Sequence, residues 1–486
     1  MNITAFAAPI LRIQSFILTI VTAQSLLVAV ISVFESHAVT RAFLVGAGVA
    51  AATALPSYLL GKTVPFELGS RQIYVLTVVT WMVFALFGAI PLFLALPGLS
   101  FTDAIFESVS GLTTTGSTVL AGLDSMPHGI LLWRGLLQWI GGIGILVMGI
   151  AILPYLRIGG MKLFRTESSD WSGKTFPRSH SMIQAISVAY ITLTLCAVTA
   201  YWAAGMGLFD AVVHSMSTVS TGGYSNYDSS MGHFNDRPAV LWISSLFMLL
   251  SALPFTLYVQ MFRGQHMAVF SDQQVRGFVG IVGLTTLVLS LAHTFIDEDP
   301  FFDSLTHSTF NIVSIITTTG YASEDYTAWS SFSTIMFFYL MFIGGCSGST
   351  TGSIKIFRFQ IGAMMLANQL RQMRHPKAIL PTRYNRRPVT DDVIRSIIAF
   401  SFYFTLTIAI LALCLSLLGL DFATALTGAA TAVTNVGPGL GEVIGPAGNF
   451  AGLPDIAKWL LCGGMLLGRL EIMTVLILVT PMFWKT

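Results

Sequence analysis

The chain has 486 residues, 54% of them hydrophobic and only 10% charged, with a formal net charge of +2. Soluble domains carry about 25% charged residues, so most of this chain does not face water, and a soluble enzyme is excluded. The small net charge gives no sign of a nucleic-acid partner. Cys196, Cys346, Cys414 and Cys462 stand far apart with no CxxC, which argues against a disulfide framework or a zinc site.

A bilayer core takes roughly 20 apolar residues per helix. Such runs fall at 11–34, 41–61, 72–96, 129–156, 181–204, 238–262, 277–296, 330–358, 393–419 and 455–484. The first has a single Arg12 ahead of it and no small-residue cleavage site, so it reads as a retained helix and not as a signal peptide. From residue 72 onward, long runs alternate with short apolar stretches at 101–115, 208–222, 301–319 and 421–436. These are too brief to cross a membrane. They are expected to be re-entrant, which is tolerated only inside protein or beside water. The fold class is therefore an all-α polytopic membrane protein.

With a cytoplasmic N-terminus, the external side holds Arg41, Arg134, Arg237 and Lys458, and Arg469 lies within a span. The rest of the 25 Lys and Arg fall at or near the cytoplasmic face, as the positive-inside rule requires. The basic run Arg371 to Arg395 is either a topology signal or a docking surface for a cytosolic partner. Acidic residues show the opposite bias. Asp103, Glu107, Asp210, Asp303 and Asp421 are among those in or beside the external re-entrant regions, where negative charge would concentrate cations.

The short stretches end in loops that align without gaps. They read Ser110-Gly-Leu-Thr-Thr-Thr-Gly116, Ser217-Thr-Val-Ser-Thr-Gly-Gly223, Ser314-Ile-Ile-Thr-Thr-Thr-Gly320 and Thr431-Ala-Val-Thr-Asn-Val-Gly437. One Thr-Thr-Gly means nothing, but four copies recurring roughly every 100 residues indicate internal repetition. A cation crossing a membrane must exchange water for oxygen ligands, and backbone carbonyls supply them without trapping it. Aligning successive carbonyls needs backbone angles that glycine permits. Hydroxyls two residues earlier (Thr114, Thr221, Thr318, with Asn435 in the fourth copy) would add ligands or brace the loop.

These loops, each between two long helices, resemble those of the Trk/Ktr/HKT superfamily of potassium transporters, and the two extra N-terminal helices resemble its TrkH branch. The resemblance runs nearly the whole chain and includes Gly344-Gly-Cys-Ser-Gly-Ser-Thr-Thr-Gly-Ser-Ile-Lys355 and Gly468-Arg-Leu-Glu471. It implies four fused helix–pore-loop–helix repeats around one central pore, at 67–178, 179–270, 271–385 and 386–486, behind two additional transmembrane helices in 1–66. It implies a potassium filter of backbone carbonyls at Thr114, Thr115, Gly116, Thr221, Gly222, Gly223, Thr318, Thr319, Gly320, Asn435, Val436 and Gly437. A potassium channel carries a second filter glycine. Here that position holds Thr118, Ser225, Ala322 and Gly439, which implies a shorter ion queue and looser selectivity. Relatives with serine at the first filter glycine tend toward sodium, so Gly116 implies potassium.

The stretch 344–353 interrupts a span with Gly344, Gly345, Gly348 and Gly352, amid Cys346, Ser347 and other small polar residues. Each glycine weakens a helix by about 1 kcal/mol relative to alanine. The resemblance implies a gating loop here. Arg469 is an expensive charge inside the last span. It would either repel cations as part of that gate or pair with an acid or with helix carbonyls. Glu471 lies on a different helix face and is a poor partner for it. The resemblance further implies a bacterial inner-membrane location, a homodimer and a cytosolic TrkA-like ring of nucleotide-binding regulatory subunits. The chain has no nucleotide motif, cofactor site or catalytic residue of its own. The rival readings are a potassium symporter coupled to protons or sodium and a membrane-embedded enzyme. The first is weakened by spans nearly free of buried acids, and the second by the lack of a convergent nucleophile, acid–base pair or metal site.

Overall fold

The computed structural model describes residues 3–62, 68–151, 175–296, 300–378, 380–385 and 387–485. The end of the run 129–156 and the boundary at 66–67 lie outside the described residues. Seven helices are long and apolar enough to cross a membrane, and two bent pairs raise the number to nine among the described residues. Their outer faces carry Leu195, Leu284 and Leu413 at 60%, 63% and 67% exposure. Each such side chain left in water forgoes about 1.5–3 kcal/mol of burial. Against hydrocarbon that loss disappears, so the chain is a multi-span membrane protein.

Three of the expected spans are not continuous helices. Pro238–Ser251 and Phe255–Phe262 meet at 88°, and Asp455–Arg469 and Ile472–Val479 meet at 112°. Both had read as single spans, at 238–262 and 455–484. The first break has a local cause, because Pro254 lacks an N–H and disfavours helix at the residue before it. The second is tertiary. Glu471 takes φ +62°, a left-handed angle for a residue with a side chain, and its carboxylate lies 3.1 Å from Arg358 Nη2. In the third, Ser331–Leu340 ends well before Ile356–Arg374 begins. Between them, the two-residue strands Ile343–Gly344 and Ile354–Lys355 pair in parallel and close a loop. The break is wider than the glycine-rich stretch alone.

Between the long helices lie the short ones, Phe101–Leu112, Leu208–Ser220, Phe301–Ile316 and Phe422–Thr434. Their C-terminal parts are buried; Ala104 to Leu112 are buried without exception. Acids sit at their N-termini, where the helix dipole favours negative charge. Asp103, Asp210 and Asp303 occupy first turns, and Asp421 caps its helix by accepting from the Thr424 N–H at 3.1 Å. Glycines let the following long helices approach closely. A β-carbon at Gly141 would strike the Leu112 carbonyl oxygen, and one at Gly468 the Val433 carbonyl oxygen. Leu112 and Val433 stand at the same distance before Gly116 and Gly437. The two N-terminal helices, Ile3–Ser32 and His37–Gly61, pack on this frame through Gly46 against Pro91 and through the His128–Glu35 pair at 2.8 Å.

Candidate functional site

The loops after the four short helices share one backbone conformation. Thr114, Thr221, Thr318 and Asn435 have φ of 53°, 53°, 57° and 55°, and Gly116, Gly223, Gly320 and Gly437 have φ of 88°, 83°, 81° and 115°. Left-handed angles thus recur at alternate positions. One hydrogen bond recurs with them, from the residue before each glycine back to the short helix: Thr115 N–H to Ser110 O, Gly222 to Ser217, Thr319 to Ser314 and Val436 to Thr431, at 2.9, 2.8, 2.8 and 3.2 Å. A side chain at φ near +55° costs roughly 1–3 kcal/mol and persists only where its surroundings fix it. The sequence showed the need for glycine, but not that the threonines would also turn left-handed.

The loops touch one another in cyclic order. A β-carbon on Gly116 would collide with the Gly222 carbonyl oxygen, on Gly223 with that of Thr319, and on Gly320 with that of Val436. On Gly437 it would come within 2.7 Å of the Thr115 oxygen. Each glycine therefore abuts the carbonyl that precedes the next loop's glycine, and the fourth loop returns to the first. Direct bonds join the first and fourth loops as well: Ser117 Oγ donates to Gly437 O at 2.7 Å, and Asn435 Nδ2 to Thr115 Oγ1 at 2.9 Å.

Behind the glycines, a polar side chain on each short helix braces the loop. Glu107, buried completely, accepts from the Val119 N–H at 3.0 Å and from Thr118 Oγ1 at 3.0 Å. Asn311 Oδ1 accepts from the Ser323 N–H at 3.1 Å, and Thr427 Oγ1 from the Leu440 N–H at 3.0 Å. His214 Nε2 pairs with Ser225 Oγ at 3.1 Å. Glu107, His214 and Asn311 occupy equivalent positions before their glycines, so three chemistries do one job there. The dissimilar side chains concealed this from the sequence. Glu107 is ion-paired with Arg134, whose Nε lies 2.8 Å away, and Arg134 also donates to Ser225 O at 2.9 Å and covers the Tyr224 ring at 4.1 Å. This pair had read as part of an acidic mouth and an external arginine. Buried and paired, Glu107 offers no free charge to a mouth, and Arg134 is not a solvated loop residue.

Two other acids at the loops are also engaged. Asp103 meets Lys458 Nζ at 2.6 Å, and Asp210 accepts from Asn226 and Tyr227 at 2.8 and 2.9 Å. Burial, reinforced by Asp210, pushes the Tyr227 phenol up to about 12, so it remains a donor. His214 and His307 are hydrogen-bonded into their surroundings, His307 through Ser323 at 2.9 Å and Glu324 at 3.2 Å.

The glycine-rich stretch contacts the left-handed positions of these loops. The Gly352 N–H donates to Thr318 Oγ1 at 2.7 Å, the Ser353 N–H to Thr434 O at 2.9 Å, and Thr221 Oγ1 to Thr350 Oγ1 at 3.3 Å. Gly345 and Cys346 lie against the broken span, where the Cys346 N–H donates to Ala252 O at 2.9 Å, and Phe255 N–H bonds Gly348 O at 2.9 Å. Ser347 N–H reaches Gln274 Oε1 at 2.9 Å. Gly344 packs against Gly352, where a β-carbon would strike the Gly352 carbonyl oxygen. Arg469 is 3% exposed and donates to Thr350 O at 2.9 Å and to Gly141 O at 3.4 Å. It binds carbonyls, while Glu471 is taken by Arg358. Lys355, at the end of the stretch, binds the Thr351 carbonyl and, at 2.9 Å, its hydroxyl. Thr114 Oγ1 and Asn435 Oδ1 are buried without a hydrogen-bond partner among the described residues.

Residues 39–486 match the family model described as TrkH, cation transport protein. The chain is 52% identical over 481 residues to the Trk system potassium uptake protein TrkI of Halomonas elongata, covering 98% of this chain and 97% of that protein. It is 37% identical over 427 residues to the Trk system potassium uptake protein TrkH of Salmonella typhimurium, covering 86% and 87%. Its structure resembles the crystal structure of the potassium transporter TrkH from Vibrio parahaemolyticus with a TM-score of 0.91 at 34% identity, over 100% of both chains.

Proposed function

The chain belongs to the TrkH family of cation transport proteins, and from that premise we propose that it takes up potassium through a gated, channel-like pore. It is a membrane transport protein and not an enzyme, and the potassium ion is its cargo. The observation that carries the reading is the cyclic contact of four loops, each with left-handed backbone two residues before its glycine and at the glycine. Such a ring offers backbone oxygens on one axis to a dehydrated cation. The filter comprises Thr114–Gly116, Thr221–Gly223, Thr318–Gly320 and Asn435–Gly437, and the four repeats with the bounds given above surround it.

The gate is the loop 344–353, with Arg469. A hydrogen bond from the Gly352 N–H to Thr318 and one from Thr221 to the Thr350 hydroxyl support a position directly against the filter. A guanidinium held on the loop's own carbonyl would repel a cation there. Sodium or proton symport is the alternative. The buried carboxylate Glu107 and the partly buried Glu471 are each neutralised by an arginine, which favours a passive pore. The N-terminus is cytoplasmic and the membrane is the bacterial inner membrane, in line with the lysine and arginine bias. A homodimer with a cytosolic TrkA-like nucleotide-binding ring would act on the basic run Arg371 to Arg395. The exposed Leu366, Leu370 and Met373, beside Arg371 and Arg374, form a face suited to such a partner.

The test is rubidium uptake into liposomes driven by a potassium gradient, with a sodium competition series and a pH step. Uptake blocked by potassium, weakly by sodium and unaffected by the pH step is expected. A requirement for a proton or sodium gradient would establish the symporter instead. Gly116→Ser should lower the preference for potassium over sodium, and an unchanged ratio would contradict the filter assignment.

A further inference from the structure

The second filter loop lacks a side chain that the other three carry. Thr115, Thr319 and Val436 precede their glycines with a side chain, whereas Gly222 has none. The space is taken from another element. Gln138, on the long helix His128–Ala151, is fully buried and lies where a β-carbon at Gly222 would come within 2.5 Å of its Oε1 and 2.7 Å of its Nε2. Its amide is used at both ends. Nε2 donates to the Gly222 carbonyl at 2.5 Å, and Oε1 accepts from the Tyr224 N–H at 3.1 Å. The reverse amide orientation would set donor against donor and acceptor against acceptor, so this one is fixed by chemistry.

The bracket spans a peptide unit flanked by two glycines, Gly222 and Gly223. With no β-carbon on either side, that unit has the least steric resistance to rotation of the four. Its oxygen is also the one that a β-carbon at Gly116 would strike, so it occupies the place held in the other loops by the oxygens of Thr115, Thr319 and Val436. In the first and third loops, side-chain hydroxyl pairs stiffen this position, Thr113 with Thr115 at 2.7 Å and Thr317 with Thr319 at 2.8 Å. The second loop has no such pair, and Gln138 stands in for it.

We propose that Gln138 is a positioning residue for ion selection, holding the Gly222–Gly223 peptide so that the Gly222 carbonyl keeps its place in the ring of ligands. This rests on the filter reading above. It makes the carbonyl of the second loop one that is positioned by a side chain from a neighbouring repeat. Because the amide already occupies one lone pair of the Gly222 oxygen, this oxygen is also the weakest of the four as an ion ligand. A carbonyl free to rotate would lose the fixed spacing that separates potassium from the smaller sodium ion.

The test compares sodium and potassium inhibition of rubidium uptake by the full-length protein in liposomes. Gln138→Leu, which keeps the volume and removes both bonds, should shift the potassium-to-sodium ratio toward sodium by about five-fold or more, the factor one ordinary hydrogen bond is worth. If that variant does not fold, Gln138→Glu, with the same shape and an acceptor in place of the donor, is expected to shift the same ratio. Gly222→Thr should abolish uptake beside Gln138, where its β-carbon has no room, and recover it when combined with Gln138→Ala, which restores the pattern of the other loops. Variants that change total uptake but leave the ratio alone, or a Gly222→Thr defect that Gln138→Ala does not relieve, would overturn the proposal. A wild-type protein that fails to prefer potassium would instead overturn the filter reading itself.

Discussion

The ring of loops and the glycine-rich stretch against it are both built from small residues, but they are held in opposite ways. Each loop repeats one turn, braced by its own short helix and by contact with the next loop. Its charged support, Glu107 with Arg134, stays one layer behind. The stretch 344–353 exists once. Its bonds run to Ala252, Gln274, Thr318, Phe255 and Arg469, partners from unrelated positions in the chain. A repeated unit suits selection, where equivalent oxygens must sit at equal spacing. A single strap with scattered ties suits closure, because it can leave without unravelling the ring. Disturbing the ring should therefore cost stability or selectivity, and disturbing the strap should release flux.

The largest effect is expected behind the ring. Arg134→Leu leaves Glu107 charged and buried, which costs about 3–5 kcal/mol for a pair of this kind. Unfolding in detergent should show that loss, and Arg134→Leu combined with Glu107→Leu should recover part of it. If the double variant is no better than the single, packing of Arg134 on Tyr224 matters more than the charge. Next comes Gly223→Ala, with φ of 83° and the Thr319 carbonyl oxygen in the way. Combining left-handed strain with overpacking, we expect rubidium uptake to fall on the order of 100-fold. Gly419→Ala is the control, because its φ of 87° carries the same strain with nothing within 4 Å of the new carbon. Stability should drop slightly there while uptake persists. An equal loss of uptake in both would assign the effect to folding and not to the ring.

Composition and hydrophobic runs made the membrane class legible, and four aligned Thr/Gly loops made the candidate ring legible, because backbone geometry with a glycine requirement leaves a repeated trace. The parts that depend on side chains meeting across the fold left none. Glu107, His214 and Asn311 brace equivalent loop positions with unrelated chemistries, so no motif repeats. The break at Leu470–Glu471 has no proline or glycine; it depends on Arg358, more than a hundred positions away in sequence. The break at Pro254 was signalled in the sequence but outweighed by the apolar run around it. Arg469 was recognisable as an expensive buried charge, but its carbonyl partners were not. The left-handed threonines were hidden by their neighbours, since threonine ordinarily argues for extended backbone.

On the strap side, Arg469→Ala removes a cation from beside the ring and frees the Thr350 carbonyl. Leak of rubidium in the resting state should rise roughly ten-fold, the change expected when a local charge barrier near 1.4 kcal/mol is lost. Unchanged leak in a variant that folds normally would leave the arginine a structural tie.

The smallest and most discriminating effect belongs to the threonines themselves. Thr318 and Thr114 occupy equivalent left-handed positions, but only Thr318 receives a bond from the strap, the Gly352 N–H at 2.7 Å. The Thr114 hydroxyl is buried without a partner among the described residues. Valine keeps the β-branched shape and removes the oxygen. Thr318→Val leaves Gly352 with an unsatisfied N–H in the closed arrangement, which should favour release by about five-fold, the worth of one hydrogen bond. Thr114→Val deletes an oxygen that has no protein hydrogen bond to lose among the described residues. It should change the potassium-to-sodium ratio and leave resting leak as it was. The pair separates two roles that one ring of side chains would otherwise share. Matching changes in leak for both would mean that the strap does not distinguish the loops, and that the ring and the gate respond as a single body.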